Sequence, residues 1–134
     1  MDVQVAVLCD AATDSGGKLN VLGAFDTIQA QTIPVVHPQC SIALRATFNN
    51  TEEGHHNLRL NFVDEDGRSI MPDFPPIPAD ITLPEDSHFV TCNFIVNIQQ
   101  LKFDTPGFYS VEISLDDELH TSIPLLVKVP PTPA

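Results

Sequence analysis

Alternation with a period of two is the feature of this chain that leaves its fold the least freedom. Over residues 40–48, Cys40, Ile42, Leu44, Ala46 and Phe48 fall on one face, and Ser41, Ala43, Arg45 and Thr47 on the other. Successive side chains of a strand point to opposite faces, so a run like this reads as a half-buried strand and not as a helix. Upstream, Val21, Gly23, Phe25 and Thr27 form a second alternating set, and Pro34 and Pro38 interrupt the apolar stretch between the two. Proline has no N–H to give a ladder, so both prolines predict a loop or a sheet edge where the chain changes partners.

The same period recurs along the chain. Residues 3–11 place Val3, Val5, Val7 and Cys9 on one face, while Ala6 and Leu8 make the other apolar too. Such a strand is covered on both sides or sits at a subunit contact. The cluster Thr13-Asp14-Ser15-Gly16-Gly17 then predicts a turn and an opening hairpin, in which Cys9 pairs with Leu19, Val7 with Val21 and Val3 with Phe25. After the polar loop 49–55, residues 56–63 make a strand whose apolar positions match those of 40–48, pairing Phe48 with His56 and Leu44 with Leu60. Asp64-Glu65-Asp66-Gly67 closes a turn, 72–76 is too rich in proline for a ladder, and 77–83 with Pro78 reads as an edge strand. Residues 88–99 are the longest strand expected, with Val90, Cys92, Phe94, Val96 and Ile98 facing one way. A closing hairpin, 108–116 with 119–129, pairs Leu115 with Leu119, Ile113 with Thr121, Val111 with Ile123 and Tyr109 with Leu125. The reading is an all-β chain: a single antiparallel sandwich of seven to eight strands over 1–129, with a proline-rich tail at 130–134.

Charge narrows the class of partner. Eighteen acidic residues against six basic ones give a formal net charge of −12. A field of that sign repels phosphates, so neither nucleic acid nor an anionic membrane surface is expected as a partner. No charged segment followed by an apolar one opens the chain, and no apolar run approaches the roughly 20 residues of a membrane helix. Cys9, Cys40 and Cys92 are odd in number and far apart, which suits reduced thiols on inward strand faces in a cytoplasmic protein. Asn49-Asn50-Thr51 has the form of a glycosylation acceptor but lacks the export signal that would give it meaning.

Candidate sites follow from the expected register. Arg45 and Arg59 would face each other across 40–48 and 56–63, and like charges so placed need something negative over them. That would be an internal carboxylate such as Glu112 or an acidic loop residue, or else a bound carboxylate or phosphate. His37 and Cys40 have a spacing that could supply two zinc ligands, yet no second pair completes a site, so no metal is expected there. The acidic turns Asp64-Glu65-Asp66 and Asp116-Asp117-Glu118 read as solvated hairpin ends, with calcium gathered between loops as the alternative. His55 and His56, beside Glu52 and Glu53, read as an exposed polar loop. No nucleophile elbow or phosphate loop is present, the paired carboxylates sit only in turns, and neither catalysis nor a cofactor is expected. A last signal is a face: Asn57, Asn61, Asn93, Asn97 and Gln99, interleaved with Ala43, Ile95 and Phe89, lack the lysine and glutamate of a solvated sheet. Amides and small residues of this kind suit a protein contact, most simply a homodimer.

Two resemblances add to this. Pro106-Gly107-Phe108-Tyr109-Ser110-Val111-Glu112-Ile113, followed by an acidic turn and Ile123-Pro124-Leu125-Leu126-Val127, resembles the last hairpin of immunoglobulin-like sandwiches. The resemblance implies that Tyr109 anchors the strand after the turn; the cysteine pair and core tryptophan of antibody domains are absent. Leu8-Cys9-Asp10-Ala11-Ala12, Leu22-Gly23-Ala24-Phe25-Asp26-Thr27-Ile28, His37-Pro38-Gln39-Cys40 and Asp64-Glu65-Asp66-Gly67 together resemble a family of small uncharacterised bacterial proteins, a domain of unknown function. That resemblance implies no activity. The expected function is a non-catalytic protein-binding or assembly module using Arg45, Arg59, Asn61, Asn93 and Asn97. The alternative is a domain that binds a small anion or a metal through the arginines or the acidic loops.

Overall fold

Alternation becomes nine strands in the computed structural model, which describes residues 1–71 and 74–130. They are β1 (Asp2–Ser15), β2 (Lys18–Phe25), β3 (Thr27–Gln29), β4 (Val35–Asn49), β5 (Gly54–Val63), β6 (Ile77–Ile81), β7 (Phe89–Phe103), β8 (Gly107–Leu115) and β9 (Glu118–Lys128). One sheet is antiparallel with the order β2-β1-β4-β7; the other has the order β3-β9-β8-β5-β6. In the second sheet β3 runs parallel to β9, so the expectation of antiparallel pairing throughout is corrected. The fold is all-β, in two facing sheets. Of the stretches read from sequence, Pro72 and Asp73 and the end of the tail, 131–134, lie outside the described residues.

The largest correction concerns β4 and β5, which do not pair. β4 is flanked by β1 and β7, whereas β5 lies between β8 and β6 in the other sheet. A 3-10 turn, Asn50–Glu52, carries the chain across the gap; Asn49 caps it through its side chain and Glu52 reaches back to the Asn49 N–H. Ile42, Leu44 and Phe48 therefore meet Leu58, Leu60 and Phe62 across the core and not along a ladder. Period-two alternation says which face of a strand is buried. It does not say whether the apolar partner is beside the strand or opposite it.

Turn chemistry sets the registers. The β1–β2 hairpin closes through Gly16 and Gly17, with φ of 60° and 82°, between Ser15 and Lys18. Two positive-φ residues make the mirror-image turn whose twist suits a two-residue hairpin, and this fixes Ser15 opposite Lys18. Cys9 then pairs with Ala24 and Leu8 with Phe25, so the expected pairing of Cys9 with Leu19 is wrong. An irregularity between Val3 and Val5 also breaks the expected valine row: Val3, Ala6 and Leu8 pack on the core, leaving Val5, Val7 and Cys9 to the other face. At the far end the closing hairpin has the expected register, with Ile113 opposite Thr121, Val111 opposite Ile123 and Tyr109 opposite Leu125. A bulge after Ile113 moves Leu119 to Ser114, and Asp116 and Asp117 take positive φ (51° and 68°) in a two-residue turn. β6 is the edge strand that Pro78 predicts.

β4 and β7 are longer than alternation suggests. Ile98, Leu101 and Phe103 are all buried, so the phase of β7 changes at Gln100, where φ is 57°. β4 starts at Val35, which places His37 and Pro38 inside a strand and not in a loop. Pro38 is tolerated because the pairing of β1 with β4 ends at Ser41, leaving that edge of β4 open.

Candidate functional site

The outer face of the β2-β1-β4-β7 sheet is built by a fold-back. Arg45 lies opposite Val5, yet its Nη1 donates to the carbonyl of Gly17 at 2.9 Å. Twelve residues of straight strand from Val5 to Gly17 would span about 40 Å, so the distal part of the β1–β2 hairpin must bend back over the sheet. Gly23, with φ of 68°, stands directly across from Asp10 at the bend, and a Cβ there would lie 2.4 Å from Asp10 Oδ2. The returning tip is latched. Asn93 Nδ2 donates to Asp14 Oδ2 (3.0 Å) and to the Gly17 carbonyl (3.1 Å), while its Oδ1 accepts from Arg45 Nη1 (2.9 Å). Arg45 Nε donates to Gln4 Oε1 at 3.0 Å. The Asn93 amide, then the Gly17 N–H, hold the Asp14 carboxyl below its usual range. Beneath the arm Ser41, Ala43 and Cys9 are buried although they point away from the core.

The predicted site residues are thereby separated. Arg45 is on β4 and Arg59 on β5, in different sheets, so they do not face each other and form no joint anion seat. Arg59 Nε pairs at 3.3 Å with Asp117, an acidic-turn residue as one of the two expectations had it, and Glu112 instead lies opposite Asn61. The amide face also splits. Asn57 and Asn61 belong to β5, where Asn61 Oδ1 accepts from Ser69 Oγ at 2.8 Å. Asn93, Asn97 and Gln99 belong to β7, where Asn97 Oδ1 accepts from Ser41 Oγ at 2.7 Å.

The acidic turns spend their carboxylates on the backbone. Asp64 Oδ1 accepts from the N–H groups of Asp66 and Arg68, each at 2.9 Å, and Glu65 Oε1 accepts from the Phe108 N–H at 3.2 Å. Among the described residues no group of three or more His, Cys, Asp or Glu side chains is placed to hold a metal ion. Cys9, Cys40 and Cys92 are unpaired thiols; Cys92 is half-buried, and burial pushes all three above the ordinary thiol value, Cys40 to about 11. His56, read as part of an exposed loop, is instead held between elements: its Nδ1 lies 2.5 Å from Asp116 Oδ2 and its Nε2 2.6 Å from the Glu52 carbonyl. Glu52 in turn binds the Met1 ammonium. The Asp116 hydrogen bond, then that of Glu52, raises the imidazole's pKa.

Two features escaped the sequence. The first is an open cleft of about 430 Å³ where the chain leaves β2 for β3, lined by Asp10, Gly23, Phe25, Gln29 and His37 among others. It gathers residues from three of the four segments that carry the family resemblance, and the Phe25 and His37 rings lie 5.4 Å apart in it. The second is the edge of β7. Among the described residues β4 is the one strand paired with β7, along fourteen positions from Val35 opposite Phe103 to Asn49 opposite Phe89. Along its other edge no strand of the described residues is paired, so the backbone N–H and C=O groups there have no ladder partner. No Asp, Glu, Lys, Arg or Pro falls between Asp86 and Lys102. The inward residues Val90, Cys92, Phe94 and Val96 are only partly buried, and Phe89 is 60% exposed. The absence of charge was legible in the sequence; that the strand is an edge was not.

Neither the curated proteins nor the solved structures contain a match to this chain. The match that exists is to a family model covering residues 4–128, from early in β1 to the last residue of β9, and by it the chain belongs to a family of unknown function, DUF6941.

Proposed function

We propose that this protein is a non-catalytic protein-binding module that receives an extended strand of a partner protein along the free edge of β7. One observation carries the reading: a strand of fifteen residues lies at a sheet edge with no charged residue or proline between Asp86 and Lys102. Natural sheets blunt their edges with lysine, proline, bulges or a covering loop, because an exposed ladder pairs with any passing strand. β7 has none of the first two along most of its length. An added strand would satisfy its backbone groups, and the half-buried row of Val90, Cys92, Phe94 and Val96 would select the partner's apolar side chains.

In this reading the sandwich is of the immunoglobulin-like kind. The Tyr109 hydroxyl, which donates to the Thr105 carbonyl at 2.6 Å, supports that assignment. The three unpaired thiols support a reducing, cytoplasmic setting. The small-anion alternative loses its ground with the separation of Arg45 from Arg59. The test is to select extended peptides of about ten residues against the protein and map the binders by amide chemical shifts. Shifts concentrated on β7 and the outer edge of its sheet are expected. Binders that map consistently to another surface, or a selection that yields none, would overturn the proposal.

A further inference from the structure

We infer that the strand received by β7 is the β7 of a second copy, so that two four-stranded sheets join across a two-fold axis into one of eight. The inference rests on the reading of β7 as a binding edge and adds the partner. Its first support is electrostatic. Two molecules of net charge −12 repel each other, and a stable contact needs a surface where approach sets no like charges opposite. β7 between Asp86 and Lys102 carries no charged side chain of its own, the Asp14 carboxylate held on Asn93 is accompanied there by Arg45, and the two charged boundaries of the stretch have opposite sign. An antiparallel pairing centred on Phe94 points the end of one copy's strand, where Lys102 pairs with Asp104 at 3.5 Å, toward the Asp86 end of the other's, at both ends of the contact.

The same register is self-complementary in its side chains. It sets Val90 against Ile98, Cys92 against Val96 and Phe94 against its own mate on the inward face. On the outward face it sets Phe89 against Gln99, Thr91 against Asn97 and Asn93 against Ile95. Of the inward set, Ile98 is already buried, whereas Val90, Cys92, Phe94 and Val96 form the row that the sandwich leaves half-covered, so pairing finishes a core which each copy leaves open at this edge. A two-fold contact requires that each patch match itself, and this strand does.

The area sets the strength. Eleven paired residues span about 37 Å, and a sheet about 10 Å thick then buries on the order of 800 Å² over both copies. That is below the range of about 1,200–2,000 Å² typical of stable complexes, so the dimer is a reversible one that forms as concentration rises.

The experiment is sedimentation equilibrium on the full chain from about 1 µM to 1 mM, a range that brackets weak association. It is run beside the variants T91K/N97K and V96C, with far-UV circular dichroism confirming that each is folded. T91K/N97K places lysines opposite each other on the outward face of the pairing, and V96C places a thiol across from Cys92 of the second copy. The expected result is a mass rising from 14.6 kDa toward twice that value, with association at least tenfold weaker in T91K/N97K. V96C should give a disulfide-linked dimer on mild oxidation. A wild type that stays monomeric to 1 mM, with no cross-link in V96C, overturns self-pairing while leaving β7 as an edge for other strands, which the peptide selection judges. A dimer indifferent to T91K/N97K and without the V96C cross-link likewise overturns self-pairing through β7, because the contact then lies elsewhere, and leaves the edge itself to the peptide selection.

Discussion

Replacing Gly23 by alanine tests whether the fold-back of the β1–β2 hairpin depends on that one residue. Gly23 has φ of 68°, and an added Cβ would lie 2.4 Å from Asp10 Oδ2, 2.9 Å from its Cγ and 3.3 Å from its Cβ. The left-handed backbone region costs an ordinary residue about 1–2 kcal/mol. The Asp10 carboxylate is the end of an exposed side chain and can swing away, but its Cβ is fixed to the backbone of β1 and cannot. G23A should therefore lose about 1–3 kcal/mol: the backbone cost together with the strain of crowding Asp10. Urea unfolding followed by far-UV circular dichroism measures it, as a lower midpoint with an unchanged slope. The double variant D10G/G23A removes the facing side chain and keeps the backbone cost. It should recover part of the loss against D10G, leaving about 1–2 kcal/mol. If G23A unfolds at the wild-type midpoint, or D10G recovers nothing, the bend is not set by Gly23 against Asp10 and the account of the arm fails.

Two further outcomes follow from the geometry. Tyr109→Phe removes the hydroxyl that donates to the Thr105 carbonyl at 2.6 Å while keeping the ring packed against Phe103, so unfolding free energy should fall by about 1 kcal/mol; an unchanged midpoint would deny Tyr109 its anchoring role. Asp116→Asn keeps an acceptor for the Asn57 N–H but removes the charge facing His56. His56 has its pKa raised in the fold, so its contribution is present below its ordinary value and lost as pH rises through the raised one. Asp116 is held down, by the Asn57 N–H first and His56 next, so its contribution is present above the ordinary carboxylate value and lost as pH falls through the lowered one. The stability gap between wild type and D116N should then be larger near pH 5.5 than near pH 8.5, by about 0.2–1 kcal/mol for a pair whose carboxylate is half exposed. Equal gaps in urea midpoints at the two pH values would refute the coupling.

The chain's sequence alone determined that the fold is all-β and where most of its strands lie, because burial on one face writes itself as a period of two, and it determined the turns that glycine and acidic residues close; seven to eight strands were expected and nine are present among the described residues, with β3 missed and β4 and β7 longer than their alternation. It also determined the register of the closing hairpin, where Tyr109, Val111 and Ile113 match Leu125, Ile123 and Thr121 across a short connection. Only the tertiary structure decided which strands are neighbours. β4 and β5 have apolar rows that match equally well side by side or face to face, since hydrophobic contact has no direction, and the side-by-side choice wrongly joined Arg45 to Arg59. The latch of Asp14, Gly17, Arg45 and Asn93 joins residues up to 79 positions apart, through a bend marked in the sequence by no more than a glycine. The same holds for β7. Its lack of charge is a property of the sequence, but whether a strand is flanked on both sides or on one is settled by the ladder, and here the ladder leaves one edge open.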